Sequence, residues 1–286
     1  MLKTLWQKFA IADPDTKDAP DTAGEGLVLL DDLRAVTFCG ADVLSFLQGY
    51  FTCDCEQLSS TLQATAICNL RGRVVAHGWC YLRAQNSVTW LIHHSLVENL
   101  AQFMTPYLAF SKTQLIVDTE DRLILGCLSE NSSTDEIAPG LSIHVFADDA
   151  ELQHALSGRQ PVPRTQWDGA LIARKIPWLS SENSGRFLPQ MLGLLALGAI
   201  DFEKGCYLGQ EVVARAQHLG KVKRSLQGLQ WTGAVPPEIG GDVSSTAGKT
   251  AGSIIQVANE ASVCLAVLQT DTALPVYQAK TELRSL

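Results

Sequence analysis

A chain of 286 residues with 46% hydrophobic side chains is long enough for two or three domains around a substantial core, and its six tryptophans argue for packing over disorder. Its 30 acidic residues outweigh 22 basic ones, giving a net charge of −8. That balance excludes a protein whose whole surface grips a nucleic-acid backbone, while leaving room for a local basic patch.

The amino terminus, MLKTLWQKFAIADPD, has no separate apolar region and no small-residue cleavage site of a secretion signal. Leu2, Leu5, Trp6 and Phe9 instead recur at helical spacing and predict a helix docked on the core, a partner-binding helix being the alternative. DPDTKDAPDTAGEG (13–26) reads as an acidic linker. LVLLDDLRAVTFCG predicts a hairpin or strand pair, and ADVLSFLQG a short helix closed by Gly49. TLQATAICN, RVVAHGWCYLR and SVTWLIHH are β-branched and aromatic runs that predict an antiparallel meander. Ser95 is placed to cap the next helix, which carries Leu96, Leu100 and Phe103 on one face. Strands follow in TQLIVDT and RLILGCLS, then a loop at 129–140, a strand at 141–146, a helix from about 148 to 157, and another in RTQWDGALIARKI. PWLSSENSGRFLPQ is a long irregular segment, which in a compact domain is often functional. From 225 onward, short strands and Gly/Pro turns predict a small β-barrel or sandwich. The class is α+β.

No stretch reaches the ~20 apolar residues that span a bilayer. The longest candidate, MLGLLALGAI at 191–200, is far shorter and broken by glycines. With no secretion signal, the eight cysteines at 39, 53, 55, 68, 80, 127, 206 and 264 are expected to be reduced thiols in a cytoplasm. Cys68, Cys80, Cys127 and Cys264 lie in apolar strand text, where free cysteine behaves as a small hydrophobe. CDC at 53–55 is the closest pair, but no CxxC and no histidine at zinc-like spacing accompany it, so no metal site is assigned. GGDVSSTAGKT ends like a phosphate-binding loop, yet Val243 stands where the first glycine belongs, and the nucleotide reading fails.

The stretch that points to chemistry is KGCYLGQEVVAR (204–215). A thiol becomes a nucleophile when positive charge or a helix amino terminus stabilises its thiolate. Cys206 lies just before a helix-like run in which Glu211 and Arg215 are four apart, and Lys204 is two residues away. Gly205 and Gly209 permit tight backbone geometry, and Gln210 can donate and accept hydrogen bonds. Local physics alone leaves a buried structural thiol and a reactive one equally open. Lys221, Lys223 and Arg224 form a basic run suited to a glutamyl tail, a phosphate or RNA, or simply to a solvated strand edge.

NSGRFLPQMLGLLALGAIDFEKGCYLGQEVVARAQHLGKVKR (183–224) resembles the signature of the YgfZ family, folate-binding relatives of the glycine-cleavage T-protein. Lys204, Gly205, Cys206, Tyr207, Gly209, Gln210, Glu211 and Arg215 all match its KGC[FY]xGQE hallmark and closing arginine. GADVLSFLQGYFTCD, AICNLRGRV and PPEIGGDV…AGSI resemble further motifs of the family in the same order, so the likeness runs from about residue 27 onward.

The resemblance implies three modules around a central folate-sized hole: a helix and linker at 1–26, two intertwined α+β modules at 27–224, and a β-barrel at 225–286. It implies an accessory protein for iron–sulfur enzymes and the tRNA modification that depends on them, with tetrahydrofolate or a derivative as ligand, Cys206 as reactive thiol and the other motif residues shaping its site. Its expected partners are iron–sulfur enzymes or assembly proteins, and tRNA indirectly, with no membrane. Trp167 matches an aromatic that the family places near the folate, and Arg174 is a candidate for its glutamyl tail.

Two departures stand out. Where the T-protein carries a catalytic carboxylate pair, this chain has Ala76 and His77; where relatives often carry a pterin-binding glutamate, it has Ala173. A true one-carbon transferase and a non-catalytic tRNA- or protein-binding scaffold are the competing readings.

Overall fold

Short β-branched runs punctuated by turn residues build two five-stranded sheets and a barrel in the computed structural model, which describes residues 1–11, 26–117, 122–129, 135–220 and 222–286. The predicted acidic linker lies, apart from Gly26, outside the described residues.

The chain begins with α1 (Leu2–Ile11), β1 (Gly26–Leu29), β2 (Leu33–Cys39) and α2 (Val43–Gln48). The meander β3 (Gln63–Cys68), β4 (Val74–Ala84) and β5 (Ser87–His93) leads to α3 (Val97–Leu108) and β6 (Gln114–Val117). Next come β7 (Leu123–Leu128), β8 (Glu136–Ala138), β9 (Leu141–Phe146), α4 (Asp149–Leu156), β10 (Gln160–Pro161) and α5 (Arg164–Ala173). After a long irregular stretch, α6 (Gln210–His218) precedes the barrel strands β11 (Arg224–Trp231), β12 (Asp242–Ser245), β13 (Thr250–Ala258), β14 (Val263–Gln269), β15 (Val276–Gln278) and β16 (Thr281–Ser285).

One sheet has the order β3-β4-β5-β2-β6, the other β10-β1-β7-β9-β8, and the barrel closes as β11-β14-β13-β12-β15-β16. Closure removes the free edges that such short strands would otherwise expose. The α+β expectation and the carboxy-terminal barrel are therefore present. So is the docked amino-terminal helix: Leu2 and Trp6 are buried in one cluster with Leu27, Leu123, Leu125, Phe146 and Leu152.

Two local expectations change. β1 and β2 are not a hairpin; β1 pairs with β7 and β10, and β2 with β5 and β6. β2 is buried along most of its length, as suits an interior strand, and the corner between the two sends each strand into its own sheet. Ser95 does not cap α3 either. It sits inside a preceding 3₁₀ turn, hydrogen-bonded to His93 Nδ1 at 2.7 Å and accepting from the Ser181 amide at 3.0 Å. Within the loop expected at 129–140, residues 130–134 are outside the described set and β8 occupies 136–138.

The irregular stretch is held to the β3-β4-β5-β2-β6 sheet and to the barrel. Gly185 N donates to Val74 O at 2.7 Å and Val74 N to Phe187 O at 2.9 Å, tying it to the start of β4. Trp178 N donates to Gln256 Oε1 and Asn183 Nδ2 to Ile255 O, tying it to the barrel. Arg186 reaches Gly240 O and Ser253 Oγ as well. The backbone that leads into the cysteine loop is thus fixed before the loop begins.

Candidate functional site at the Cys206 loop

The loop at 203–209 is hung between the α2–β3 connection and the β3–β4 turn. Asp201 N donates to Thr52 O, and Asp201 Oδ1 accepts from the amides of Glu203 and Lys204 at 2.7 and 3.1 Å. Lys204 then turns inward. Its buried ammonium donates to the carbonyl oxygens of Gln48 at 2.9 Å, Phe51 at 2.6 Å and Cys53 at 2.8 Å. All three of its N–H groups are spent on backbone. Burial lowers the Lys204 pKa, opposed by the neighbouring Cys55, Cys53, Asp54 and Asp201. The positive charge that the sequence placed two residues from Cys206 is committed elsewhere, because three converging carbonyls in a dry site are satisfied by the ammonium.

On the far side, Tyr207 is buried with its hydroxyl unpartnered, and its ring lies 5.3 Å from Lys204 Nζ. Burial pushes the phenol above its ordinary value. Leu208 N donates to Gly49 O. Gly209 adopts φ +83°, and a Cβ there would collide with the Asn69 carbonyl oxygen. Only glycine serves both the left-handed conformation and that close approach. Gln210 Oε1 accepts from Tyr207 N at 3.3 Å, folding the α6 start back onto the loop. Gln190 Nε2 secures α6 at Val213 O.

Between these anchors, Gly205 and Cys206 are exposed, and a Cβ on Gly205 would meet nothing within 4 Å. Among the described residues, six of the other cysteines are buried and Cys39 is half-buried. The motif therefore presents one sulfur to solvent from a rigid mount. Glu211 and Arg215 pair at 2.6 Å on the exposed face of α6, away from any burial.

The remaining candidates are dispersed. Trp167 is fully enclosed, its ring against Gly126 and edge-on to Trp178 at 6.5 Å. Arg174 donates to Pro139 O and Ala170 O at the end of α5. As it stands, Trp167 offers no free ring face to a folate, whereas Arg174 is exposed with Nε and Nη1 on backbone carbonyls. Lys221 lies outside the described residues, Lys223 is exposed, and Arg224 opens β11 half-buried.

His77 is buried beside Ala76. Its Nδ1 meets Thr65 O at 2.9 Å, and Nε2 has no partner. Desolvation drives its pKa down to about 4, so the ring is neutral near pH 7. His77, Trp79, His93 and Trp178 border a cavity of about 10 Å³, room for roughly one water.

Sequence reasoning missed the network beside that cavity. Asp32 accepts from both Arg164 Nη atoms at 2.8 and 2.6 Å and from Trp178 Nε1 at 2.7 Å, and Arg164 Nε donates to Asp168. An Asp-Asp corner between two strands reads as a turn, and nothing in its spacing names partners more than 130 residues away.

No family model matches the chain. It is 30% identical over 247 residues to the tRNA-modifying protein YgfZ of Sodalis glossinidius (strain morsitans), covering 76% of this chain and 75% of the relative. Its fold is similar to that of the glycine cleavage system aminomethyltransferase T from Bartonella henselae, with a TM-score of 0.69 over 92% of this chain and 85% of that one at 12% identity. With the motif loop, the two sheets and the barrel in place, the chain belongs to the YgfZ family, on a T-protein fold.

Proposed function

We propose that the chain is an accessory protein for tRNA modification and for the iron–sulfur enzymes on which such modification depends, with Cys206 as its reactive group. The observation that carries this is the exposed sulfur of Cys206 on a loop whose flanking residues, Lys204, Tyr207, Gly209 and Gln210, are spent on holding it. A thiol kept for packing would be inside, as six others are. The name of the Sodalis relative supports the tRNA side of the reading. The working domain plan is 1–26, 27–224 and 225–286.

Tetrahydrofolate or a derivative is the proposed ligand, supported by the family to which the chain belongs and by its T-protein fold. Aminomethyl transfer is not proposed: Ala76 brings no carboxylate, and His77 is a buried neutral ring. The basic run at 221–224 remains a candidate contact for an anion.

Complementation tests the proposal. In a strain lacking its own YgfZ, the intact chain should restore tRNA modification and iron–sulfur enzyme activity. Cys206→Ala should lose at least ten-fold of that activity with an unchanged melting temperature, since an exposed side chain carries little packing. Full restoration by Cys206→Ala would remove the thiol from the mechanism and leave a binding scaffold. Titration with tetrahydrofolate, followed by tryptophan fluorescence, tests the ligand separately; unchanged emission would strike folate from the reading.

A further inference from the structure

His77 holds a buried lone pair that no described residue satisfies. The residue lies on β4 opposite Ala66 of β3, and only 3% of its surface is exposed. Its Nδ1 stands 2.9 Å from the Thr65 carbonyl oxygen. A carbonyl has no proton to give, so Nδ1 donates, and in the neutral ring the lone pair falls on Nε2. Burial, which drives the pKa down to about 4, keeps the ring neutral near pH 7. Nε2 is thus an acceptor, sealed in the fold and without a donor. A buried acceptor left unmet carries its full desolvation cost, so the position calls for a partner.

The surroundings narrow what that partner is. The crevice beside His77 has a volume of about 10 Å³ and is walled by Leu33, Trp79, Leu91, Ile92 and Trp178. Trp178 brings an indole N–H to this wall, but that donor is spent on Asp32 at 2.7 Å, and the Trp178 amide on Gln256. His93, the other imidazole at the crevice, has its Nδ1 on Ser95. No carboxylate is among the described residues that line the crevice, which disfavours a cation, and no described group of three His, Cys, Asp or Glu could hold a metal ion. An anion or a bare ring nitrogen would set lone pair against lone pair. What remains is an uncharged N–H or O–H. Space for about one water admits only that donor, at the edge of a larger molecule.

We propose that His77 Nε2 is a specificity-determining acceptor that selects the reduced over the oxidised form of a pterin-type ligand. A tetrahydropterin carries N–H groups at N5 and N8, whereas the fully oxidised ring has bare lone pairs at both positions. Reduction therefore converts that edge of the ring from one that His77 repels into one that donates to it. The opposite edge, with its amino group and N3–H, is alike in both forms and gives no such discrimination. The assignment rests on the folate ligand proposed above and adds a reason for its oxidation state.

Anaerobic titration of the full-length protein with tetrahydrofolate and with folic acid, followed by tryptophan fluorescence, tests it in wild type and His77→Phe. Phenylalanine keeps a ring of similar size and removes the lone pair. The wild type should bind tetrahydrofolate at least about ten-fold more tightly than folic acid, and His77→Phe should bring the two within about two-fold of each other. A preference that survives in His77→Phe, or is missing from the wild type, would overturn the assignment while leaving the ligand in place. Binding of neither compound would strike the folate reading, and this assignment with it. A measurement on the wild type alone covers the case of a variant that does not fold. With isotope-labelled histidine ring nitrogens, saturating tetrahydrofolate should move the His77 Nε2 resonance toward the hydrogen-bonded range and leave Nδ1 unchanged. An Nε2 signal that stays in place in the bound protein would equally refute it.

Discussion

Lys204 shows how a motif residue can be legible by type and misread by role. Two positions from Cys206 in sequence, it suggested a charge that activates the thiol; in the fold, its ammonium closes three backbone carbonyls from the α2–β3 connection. Lys204→Met should leave those carbonyls unpaired and destabilise the protein by about 3 kcal/mol, read as a shift in the urea midpoint. No loss of stability would mean water satisfies them equally well. His77 gives a pH prediction with a fixed sign. Its folded pKa is depressed to about 4 from 6.5, so the unfolded chain binds more protons between those values. Its contribution is intact above pH 6.5 and is lost as pH falls toward 4, about 3 kcal/mol over the window. His77→Gln should flatten that limb of the stability profile, and an unchanged limb would assign the acid sensitivity to other groups.

At the scale of elements, α6 is the clearest case of sequence reading and structure agreeing. The helical run and its i, i+4 Glu211–Arg215 pair are present, and Gly209 stands at its amino terminus in the left-handed region. What periodicity could not say is that Gly209 also makes room for the β3–β4 turn at Asn69. Gly209→Ala should cost at least about 2 kcal/mol and displace the Cys206 loop, whereas Glu211→Gln on the exposed face should change stability by less than about 0.5 kcal/mol. Equal effects in thermal melts would sink the distinction. The β1–β2 pairing failed for a related reason. Both runs look like strands, but which strand each one pairs with is settled by burial on both faces and not by adjacency.

Across the whole molecule, Asp32 joins the corner between the two sheets, α5 and the irregular segment through Arg164 and Trp178. Burial works to raise its pKa, but the hydrogen bonds and charge of Arg164, with the Trp178 indole, hold it below the usual carboxylate value. Asp32→Ala would leave the Trp178 indole unpaired and Arg164 with Asp168, at a cost of about 2–4 kcal/mol. Hydrogen exchange should then rise in residues 176–183 ahead of the barrel. Protection that stays uniform would show that the barrel contacts through Gln256 and Ile255 suffice.

The sequence by itself determined the class of fold, the meander, the barrel, the docked first helix and the family, because hydrophobic period, turn residues and a contiguous motif are all local in the chain. Only the tertiary structure decided what the motif side chains do. It turned Lys204 inward, enclosed Trp167 and left Cys206 in solvent. Each of those outcomes depends on carbonyls or rings contributed by distant parts of the chain, and a local pattern carries no record of which distant groups will need a partner.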